Sequence, residues 1–364
     1  MHIWIFLDIF MDMAYKIIIP SKVHSDILNL IAEIEEFKGR WETLRNIVPD
    51  RLPMLRKVAT IASIGSSTRI EGARLSDSDV DELLSNIGHH SFKNRDEEVV
   101  AGYADAMNVV FDSFSDIPIS ENHIRQMHGI LLKYSGKDKR HKGEYKKLPN
   151  NVEAFNPDGK SVGIVFETAT PFQTPLYMKD LIEWYNSAIV EQIHHPLLII
   201  GTFAVHFLAI HPFQDGNGRL SRILTTLMLL RQGHAYVPYC SLESIVEENK
   251  EQYYLSLRRA QKSIKTNNLG MEEWLRYFLK TLRKQKDILQ KRLEEEKTIS
   301  FAEMPAISGA IVNLALIHSK VTVSDVLRST KANRNTIKKH LQALVRKGLL
   351  KKHGEKKGTW YTRV

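Results

Sequence analysis

A histidine, an aspartate and two glycines lie close together near the middle of the chain and could perform chemistry. His211 is the only group in this stretch that titrates near neutrality, so it is the natural general base. Asp215 supplies a hard oxygen ligand of the kind that Mg²⁺ takes together with substrate phosphates. Gly216 and Gly218 allow the backbone to approach a ligand without a Cβ in the way. The pattern indicates a loop that binds and activates a charged substrate.

Two arginines follow this loop, where we expect a helix to begin. Arg219 and Arg222 are three residues apart and therefore share a face of the first helical turn. The free N–H groups of a helix N-terminus bind anions, and two guanidinium groups beside them suit a polyphosphate better than a single carboxylate. Each residue also has an ordinary alternative as a cap, a turn or a solvated helix face. Their joint occurrence favours a phosphate site.

The elements that must position these residues are mostly helical. The run Leu197–Ile210 is apolar nearly all round, which predicts a helix buried in the centre of the domain. A second helix is expected over Arg219–Arg231, and further ones on either side, including about 246–265. The Pro- and Gly-rich segment Gly143–Pro175 interrupts them and predicts a β-hairpin flap.

The loop resembles the signature of the Fic (filamentation induced by cAMP) family at every specified position. Its sequence, His211-Pro-Phe-Gln-Asp-Gly-Asn-Gly-Arg219, matches the pattern His-Pro-Phe-x-Asp/Glu-Gly-Asn-Gly/Lys-Arg, and the second family arginine follows as Arg222. The likeness covers about residues 96–265. It implies a mainly α protein: a Fic-type helical bundle with a β-hairpin flap and, in this subclass, a C-terminal winged helix-turn-helix.

The resemblance also implies an activity, the transfer of AMP from ATP to a Ser, Thr or Tyr hydroxyl of a protein or of the chain itself. His211 would deprotonate the hydroxyl, Asp215 would hold Mg²⁺ and Phe213 would fix the loop. The phosphates would be bound by Gly216, Asn217, Gly218, Arg219 and Arg222. Related kinases of the Doc type usually have Lys where Gly218 stands, so the glycine favours AMP transfer.

Two further segments resemble family features around this site. Asn249 and Tyr253 lie where relatives contact adenine, although a helix packing aromatics on the core is an alternative. The flap would pin the target segment by strand addition through backbone hydrogen bonds, with a simple hairpin as the alternative. The candidate flap residues are Ile164, Val165 and Phe166.

The stretch Ser67-Thr-Arg-Ile-Glu71-Gly72 resembles the family's inhibitory motif, upstream of the core. Ser67 and Glu71 are four apart and share a helical face. In such relatives the glutamate reaches the second arginine, here Arg222, and takes the place of the γ-phosphate. The resemblance implies autoinhibition by Glu71, although some relatives use this glutamate to remove AMP.

The basic excess of the chain lies at its C-terminus. Residues 305–364 contain thirteen Lys and Arg against two acids, a net +11, so the other 304 residues together carry −2 of the total +9. Helix Arg334–Arg346 and the hairpin-like Lys351–Arg363 resemble the recognition helix and wing of a winged helix-turn-helix. The expected partner is DNA, bound through the major groove and phosphates, with protein binding or dimer formation as alternatives.

The bulk composition is that of a globular protein, with 43% hydrophobic and 26% charged residues. The lone cysteine, Cys240, excludes an internal disulfide and fits a cytoplasmic location. No stretch reaches the ~20 apolar residues of a membrane span. Residues 1–12 lack a signal-peptide pattern and raise the alternative of a later start codon. We expect an N-terminal inhibitory region over 1–95, a catalytic core over 96–300 and a winged helix over 301–364, with a homodimer typical of the subclass.

Two other functions remain open from the sequence. One is a DNA-binding regulator whose Fic body senses nucleotide, which would have no use for the base His211. The other is a kinase or a de-AMPylase on the same scaffold.

Overall fold

The computed structural model describes residues 24–46, 49–86, 92–155, 161–192, 194–264, 270–298, 304–318, 320–330, 332–355 and 358–363. Its first part is helical, as expected: α1 (His24–Arg45), α2 (Leu52–Ile70), α3 (Asp77–Asn86), α4 (Arg95–Ser113) and α5 (Glu121–Leu131). The flap follows as β1 (Val152–Phe155) and β2 (Ser161–Phe166). Helices then resume as α6 (Thr174–Glu191), α7 (Pro196–Ile210), α8 (Asn217–Arg231), α9 (Leu242–Glu248), α10 (Lys250–Ile264) and α11 (Gly270–Thr298).

Helix α7 lies at the centre because it has no polar face to turn outward. His195 caps its first turn by accepting the N–H of Leu197, and all but two of its residues are buried. It packs against α6, α8, α10 and α11, while α2, α4 and α5 cover α8. One apolar cluster runs from Ile27 in α1 to Leu293 in α11. The two central helices therefore hold the loop between them on a rigid base.

Helix α2 carries the predicted inhibitory motif and ends at Ile70, just before Glu71. Gly72 has φ +103°, the left-handed conformation that stops a helix with least strain in glycine. The next helix is capped by Ser76 and Asp79, which exchange side-chain-to-backbone hydrogen bonds. The polypeptide therefore turns sharply after the motif and leaves the Glu71 side chain near α8.

The prediction of a single helix over about 246–265 is wrong. The chain forms α9 and α10 with a break at Asn249, whose backbone (φ −121°, ψ 35°) leaves the helical region. Asn competes with helical hydrogen bonding through its side chain, which here bonds the carbonyl of Ile245. The break turns α10 toward the loop and α7.

The C-terminal part has a small apolar cluster of its own, which includes Ile311, Ile337 and Tyr361. Its elements are α12 (Ala306–Ile317), α13 (Val323–Thr330), α14 (Arg334–Arg346), β3 (Leu350–His353) and β4 (Trp360–Arg363). The two strands pair antiparallel. Helix α14 has the predicted bounds of the recognition helix, and β3 and β4 form the predicted hairpin. The DNA-binding role of this part and the division of the chain at residues 95 and 300 stay predictions.

The C-terminal part contacts the rest through a buried carboxylate. Glu296 accepts hydrogen bonds from Arg51, just before α2, and from Arg363 in β4. Arg51 also donates to Asn313 in α12. In the described part of the chain, no helix has both the length and the apolar character to cross a bilayer.

Candidate active site

His211 ends the buried helix α7 in an unusual conformation. Its backbone is left-handed (φ 53°, ψ 59°), and its N–H bonds the carbonyl of Phe207 at 2.9 Å. Left-handed helix caps are usually glycine, so a histidine here adopts a sparsely populated conformation held by its surroundings. Burial and, next in size, the charge of the Lys146 ammonium lower the pKa of the imidazole to about 4. The ring is therefore neutral at physiological pH, as a general base must be.

The loop is closed by the side chain of Asn217. Its Oδ1 accepts the N–H of Phe213 at 2.9 Å, and its Nδ2 donates to the carbonyl of Phe213 at 2.7 Å. Gly216 turns the chain into α8 with φ +83°, which favours glycine. The Asn217 side chain thus shapes the loop, and the predicted phosphate binding by Asn217 is left to its backbone N–H, which belongs to the first turn of α8.

Phe213 is fully buried, as predicted, and stacks on an unpredicted histidine. The ring of His128 from α5 lies parallel to it, with centroids 3.8 Å apart. His128 Nδ1 accepts the N–H of Gly143 at 2.9 Å, so its Nε2 carries the proton and donates to the carbonyl of Asp215 at 3.0 Å. Burial lowers the pKa of His128 to about 4. A neutral ring of fixed tautomer therefore supports the loop from beneath.

Asp215 lies between two arginines. Arg219 Nη2 bonds its Oδ1 at 3.1 Å and Arg95 Nη2 bonds its Oδ2 at 2.9 Å. Burial alone would raise the pKa of Asp215, but Arg219, the N–H of Gly216 and Arg95 together hold it below the usual value. Arg219 is 4% exposed, and its Nε and Nη1 are buried without a hydrogen-bond partner among the described residues. Such donors need an acceptor that the protein does not supply, which is consistent with an anionic ligand.

The described residues contain no cluster of three or more His, Cys, Asp or Glu side chains that could hold a metal ion. Asp215 is ionised and its side chain is about one-third exposed. That donor set fits Mg²⁺ held by one carboxylate and substrate phosphates, and does not fit a metal enclosed by protein ligands.

Arg222 binds the end of the inhibitory motif. Its Nε donates to Ser67 Oγ at 2.8 Å, and its Nη2 donates to the Ser67 carbonyl at 2.9 Å and to Glu71 Oε1 at 2.8 Å. Burial works to lower the pKa of Arg222, but the Glu71 carboxylate raises it well above the usual value. A Cβ added at Gly218 would lie 2.2 Å from Glu71 Oε1. The carboxylate therefore rests directly on the glycine of the predicted phosphate loop.

A cavity of about 340 Å³ brings most of the predicted residues together. Those that line it are Glu71, His211, Asp215, Gly216, Asn217, Gly218, Arg222, Tyr253 and Phe166. Arg219 does not line the cavity, but it donates a hydrogen bond to Asp215, which does. Asn249 is not among the lining residues, because its amide bonds its own helix at Ile245. The structure thus gives no support to the predicted adenine contact of Asn249.

The flap covers one side of this cavity. Strands β1 and β2 pair antiparallel, with Val152 opposite Phe166 and Glu153 opposite Ile164. The Phe166 side chain lines the cavity. The side chains of Ile164 and Val165 lie outside the described residues.

Sequence patterns did not identify a second group of residues that hold the loop. His128 and Arg95 come from α5 and α4, and Lys146, Asn150 and Thr168 come from the segments that flank the flap. They have no common spacing and meet only through the tertiary fold. The sequence gives no local signal for Lys146, which is one of six Lys and Arg residues between Lys137 and Lys147.

Comparison with known proteins agrees with this geometry. Residues 118–229 match the model of the Fic/DOC family, which spans α5 through most of α8 and includes the whole loop. Residues 118–229 therefore form a Fic domain.

Its curated relatives are named as protein adenylyltransferases. A probable protein adenylyltransferase of Aquifex aeolicus is 29% identical over 99 residues, which cover 27% of this chain and 28% of the relative. The protein adenylyltransferase Fic of Drosophila grimshawi is 33% identical over 90 residues, covering 25% and 17%. The match thus spans between about a sixth and somewhat over a quarter of these relatives' lengths.

Solved structures resemble the fold over a larger share of the chain. A Fic domain containing signaling protein from Bacteroides thetaiotaomicron has a TM-score of 0.59 at 24% identity, covering 72% of this chain and 97% of that one. A Fic family protein from Desulfovibrio desulfuricans has a TM-score of 0.61 at 21% identity, covering 96% and 97%. At these identities the likeness concerns the fold alone.

Proposed function

We propose that this chain is a protein adenylyltransferase that transfers AMP from ATP to a Ser, Thr or Tyr hydroxyl. The carrying observation is that one cavity holds a neutral histidine, an anion-binding helix start and an ionised aspartate: His211, Gly216–Gly218 and Asp215. These are the base, the phosphate cradle and the metal ligand that the reaction needs. The names of the curated relatives point to the same reaction.

The proposed step is a displacement at the α-phosphorus. The acceptor oxygen bonds to the α-phosphorus as its proton passes to His211, the bond from the α-phosphorus to the bridging oxygen breaks, and pyrophosphate leaves. Arg219 and Arg222 would bind the β- and γ-phosphates through charge-assisted hydrogen bonds. Mg²⁺ bound at Asp215 would supply neutralisation of phosphate charge. The flap, with Ile164, Val165 and Phe166, would align the acceptor segment by strand addition.

Glu71 is proposed to restrain this activity. It bonds Arg222 at 2.8 Å and lies against Gly218, where the terminal phosphate of ATP would be bound. Ser67 holds the same guanidinium through two further hydrogen bonds, so the arginine stays in place when Glu71 moves away. Occupation by Glu71 removes a phosphate contact and displaces the α-phosphate from the line of attack.

The test of reaction and restraint uses three proteins: wild type, Glu71→Gly and Glu71→Gly with His211→Ala. Each is incubated with α-labelled ATP and Mg²⁺, and label is followed on the chain itself and on added protein. We expect strong labelling of Glu71→Gly, weak labelling of wild type and none of the double variant. Equal labelling of the double variant and Glu71→Gly would exclude His211 as the base. Equal labelling of wild type and Glu71→Gly would exclude the restraint.

A second candidate function is DNA binding by the C-terminal part. An exposed basic surface extends over α14, the turn after it and β3, with Arg334, Lys338, Lys339, Arg346, Lys347, Lys351 and Lys352. Such a surface releases counterions on binding a duplex, so the affinity must fall steeply with salt. Under this hypothesis the Fic body adds nucleotide sensing or AMP transfer to a DNA-binding regulator.

Fluorescence anisotropy with a labelled duplex tests this second function. Lys338→Gln with Lys339→Gln should weaken binding, and the matched pair Lys137→Gln with Lys139→Gln, exposed on the Fic body, should not. No binding at low salt would remove the hypothesis.

A further inference from the structure

The backbone where α7 meets the loop is held by a short segment that precedes the flap. Four consecutive carbonyls, Ile210 to Phe213, each accept a hydrogen bond from it. The Lys146 ammonium bonds the first at 3.0 Å and the Lys146 N–H bonds the third at 2.9 Å. The Asn150 amide bonds the second and fourth at 3.1 and 2.6 Å. His211 therefore lies within a backbone stretch whose every acceptor is fixed from outside the loop.

Lys146 is at the centre of this cluster, and its burial is unusual. It is 3% exposed. Its ammonium donates to the Ile210 carbonyl, to Asn150 Oδ1 at 2.7 Å and to Thr168 Oγ1 at 2.9 Å. No carboxylate of the described residues lies within ion-pair distance of it. A buried ammonium without a counter-charge is costly, so its presence points to a role beyond stability.

The same ammonium joins both bases of the flap. Asn150 lies just before β1 and Thr168 just after β2. Thr168 Oγ1 bonds Asn150 Oδ1 at 3.0 Å, and the Thr168 N–H bonds Asn151 Oδ1 at 3.1 Å. The hairpin that would align the acceptor and the backbone that carries His211 therefore share one hydrogen-bond cluster.

Charge from Lys146 acts on the imidazole as well. Burial is the largest cause that lowers the pKa of His211, and Lys146 is the next; the Leu208 carbonyl and the carboxylates of Glu71 and Asp215 oppose them. The charged groups that line the same cavity are Glu71, Asp215, Arg222 and Arg258. The charged group that lowers the pKa of His211 is therefore Lys146, which also belongs to the hydrogen-bond cluster that holds the backbone of the loop.

We infer that Lys146 is a positioning residue for His211, which fixes the backbone of the base and ties its place to the flap through Asn150 and Thr168. This inference rests on the proposed function. It does not make Lys146 a catalytic residue, because its ammonium donates to three acceptors of the protein itself.

The test uses the full chain with Glu71→Gly as the parent and adds Lys146→Gln, Lys146→Arg or Thr168→Val. The rate of AMP incorporation into the chain is measured against ATP concentration and pH. Lys146→Gln should lower the maximal rate about 10- to 100-fold, as expected of a misplaced group, with little change in the half-saturating ATP concentration. The acid limb of its pH–rate profile should move to higher pH, because loss of a positive charge near His211 raises the pKa of the imidazole. The charge of bound ATP affects the pKa of His211 equally in the parent and in the variant, so the difference between their acid limbs remains.

The other two variants separate charge from geometry. Lys146→Arg keeps the charge, so its acid limb should coincide with that of the parent. Thr168→Val removes the hydroxyl that accepts from Lys146 and donates to Asn150 but removes no charge, so the rate should fall about 2- to 10-fold without a shift of the acid limb.

Thermal unfolding of each variant is followed in parallel, and Thr168→Val carries the test if Lys146→Gln does not fold. An unlabelled parent would refute the proposed function itself. If the parent is labelled, either of two results with the variants would refute the inference alone. One is that the folded variants keep its rate and acid limb, and the other is that they lose rate only through weaker ATP binding.

Discussion

Removal of the Glu71 carboxylate should strengthen ATP binding. The carboxylate bonds Arg222 at 2.8 Å, with side-chain exposures of 35% for Glu71 and 9% for Arg222. Under the proposed function, the terminal phosphate of ATP would reach this guanidinium only after that bond breaks. The residue follows the last turn of α2 with φ −90° and ψ 4°, a conformation that glycine adopts readily, so Glu71→Gly leaves the helix end intact.

The magnitude follows from the charges. Two unit charges about 4 Å apart interact by about 4 kcal/mol at an effective dielectric constant of about 20. Since Glu71 is one-third exposed, solvent screening reduces this to about 2 kcal/mol. At 1.36 kcal/mol per factor of ten, ATP affinity should rise about 30-fold in Glu71→Gly. Arg222 keeps both bonds to Ser67, so little of this gain is lost to disorder of the arginine.

Isothermal titration of ATP and ADP into wild type, Glu71→Gly and Glu71→Gln measures the effect. ADP lacks the terminal phosphate, so its affinity should change much less than that of ATP. Glu71→Gln loses the charge but keeps a hydrogen-bond acceptor, so it should lie between the other two proteins. ATP affinities of wild type and Glu71→Gly within twofold of each other would refute the competition between Glu71 and phosphate.

Three further substitutions test the surroundings of the loop. Arg95→Gln frees one oxygen of Asp215, so the half-saturating Mg²⁺ concentration for ATP binding should fall about 2- to 5-fold in calorimetric titrations, and no change would show that Arg95 does not compete with the metal. The folded-state pKa of His128 is about 4, against about 6.5 unfolded, so the unfolded chain takes up this proton first and stability is lost as the pH falls below about 6.5. Denaturant titrations should show a loss between pH 7 and 5 that is about 2 kcal/mol larger in wild type than in His128→Gln. Glu296→Gln leaves two arginines without their buried counter-charge and should lower the unfolding free energy by about 3 kcal/mol, whereas unchanged stability would mean that water replaces the carboxylate.

The sequence predicted those features that depend on local patterns. The uniformly apolar run of α7 required burial, and the glycines and arginines after it predicted an anion site at the start of α8. The bounds of the helix Arg334–Arg346 were predicted from its amphipathic pattern, and α14 has those bounds. These features are decided within a few residues along the chain.

The features that the sequence did not predict depend on residues far apart. Lys146 lies 64 positions before the Ile210 carbonyl that it binds, and His128 lies 87 positions before Asp215. No periodicity marks such pairs, because they come together only when α5 and the flap pack around the loop. The break at Asn249 was missed for a related reason: the residues on both sides favour a helix, and the packing of α10 against α7 sets its direction.

The central claim concerns which phosphorus is attacked, and the most direct measurement is the intact mass of the Glu71→Gly chain after incubation with ATP and Mg²⁺. The proposed reaction predicts that the mass increases by one or more AMP groups and that the increase is lost when His211 is also changed to Ala. An increase by phosphate alone would contradict the claim, because it would place the attack on the γ-phosphorus and make the protein a kinase.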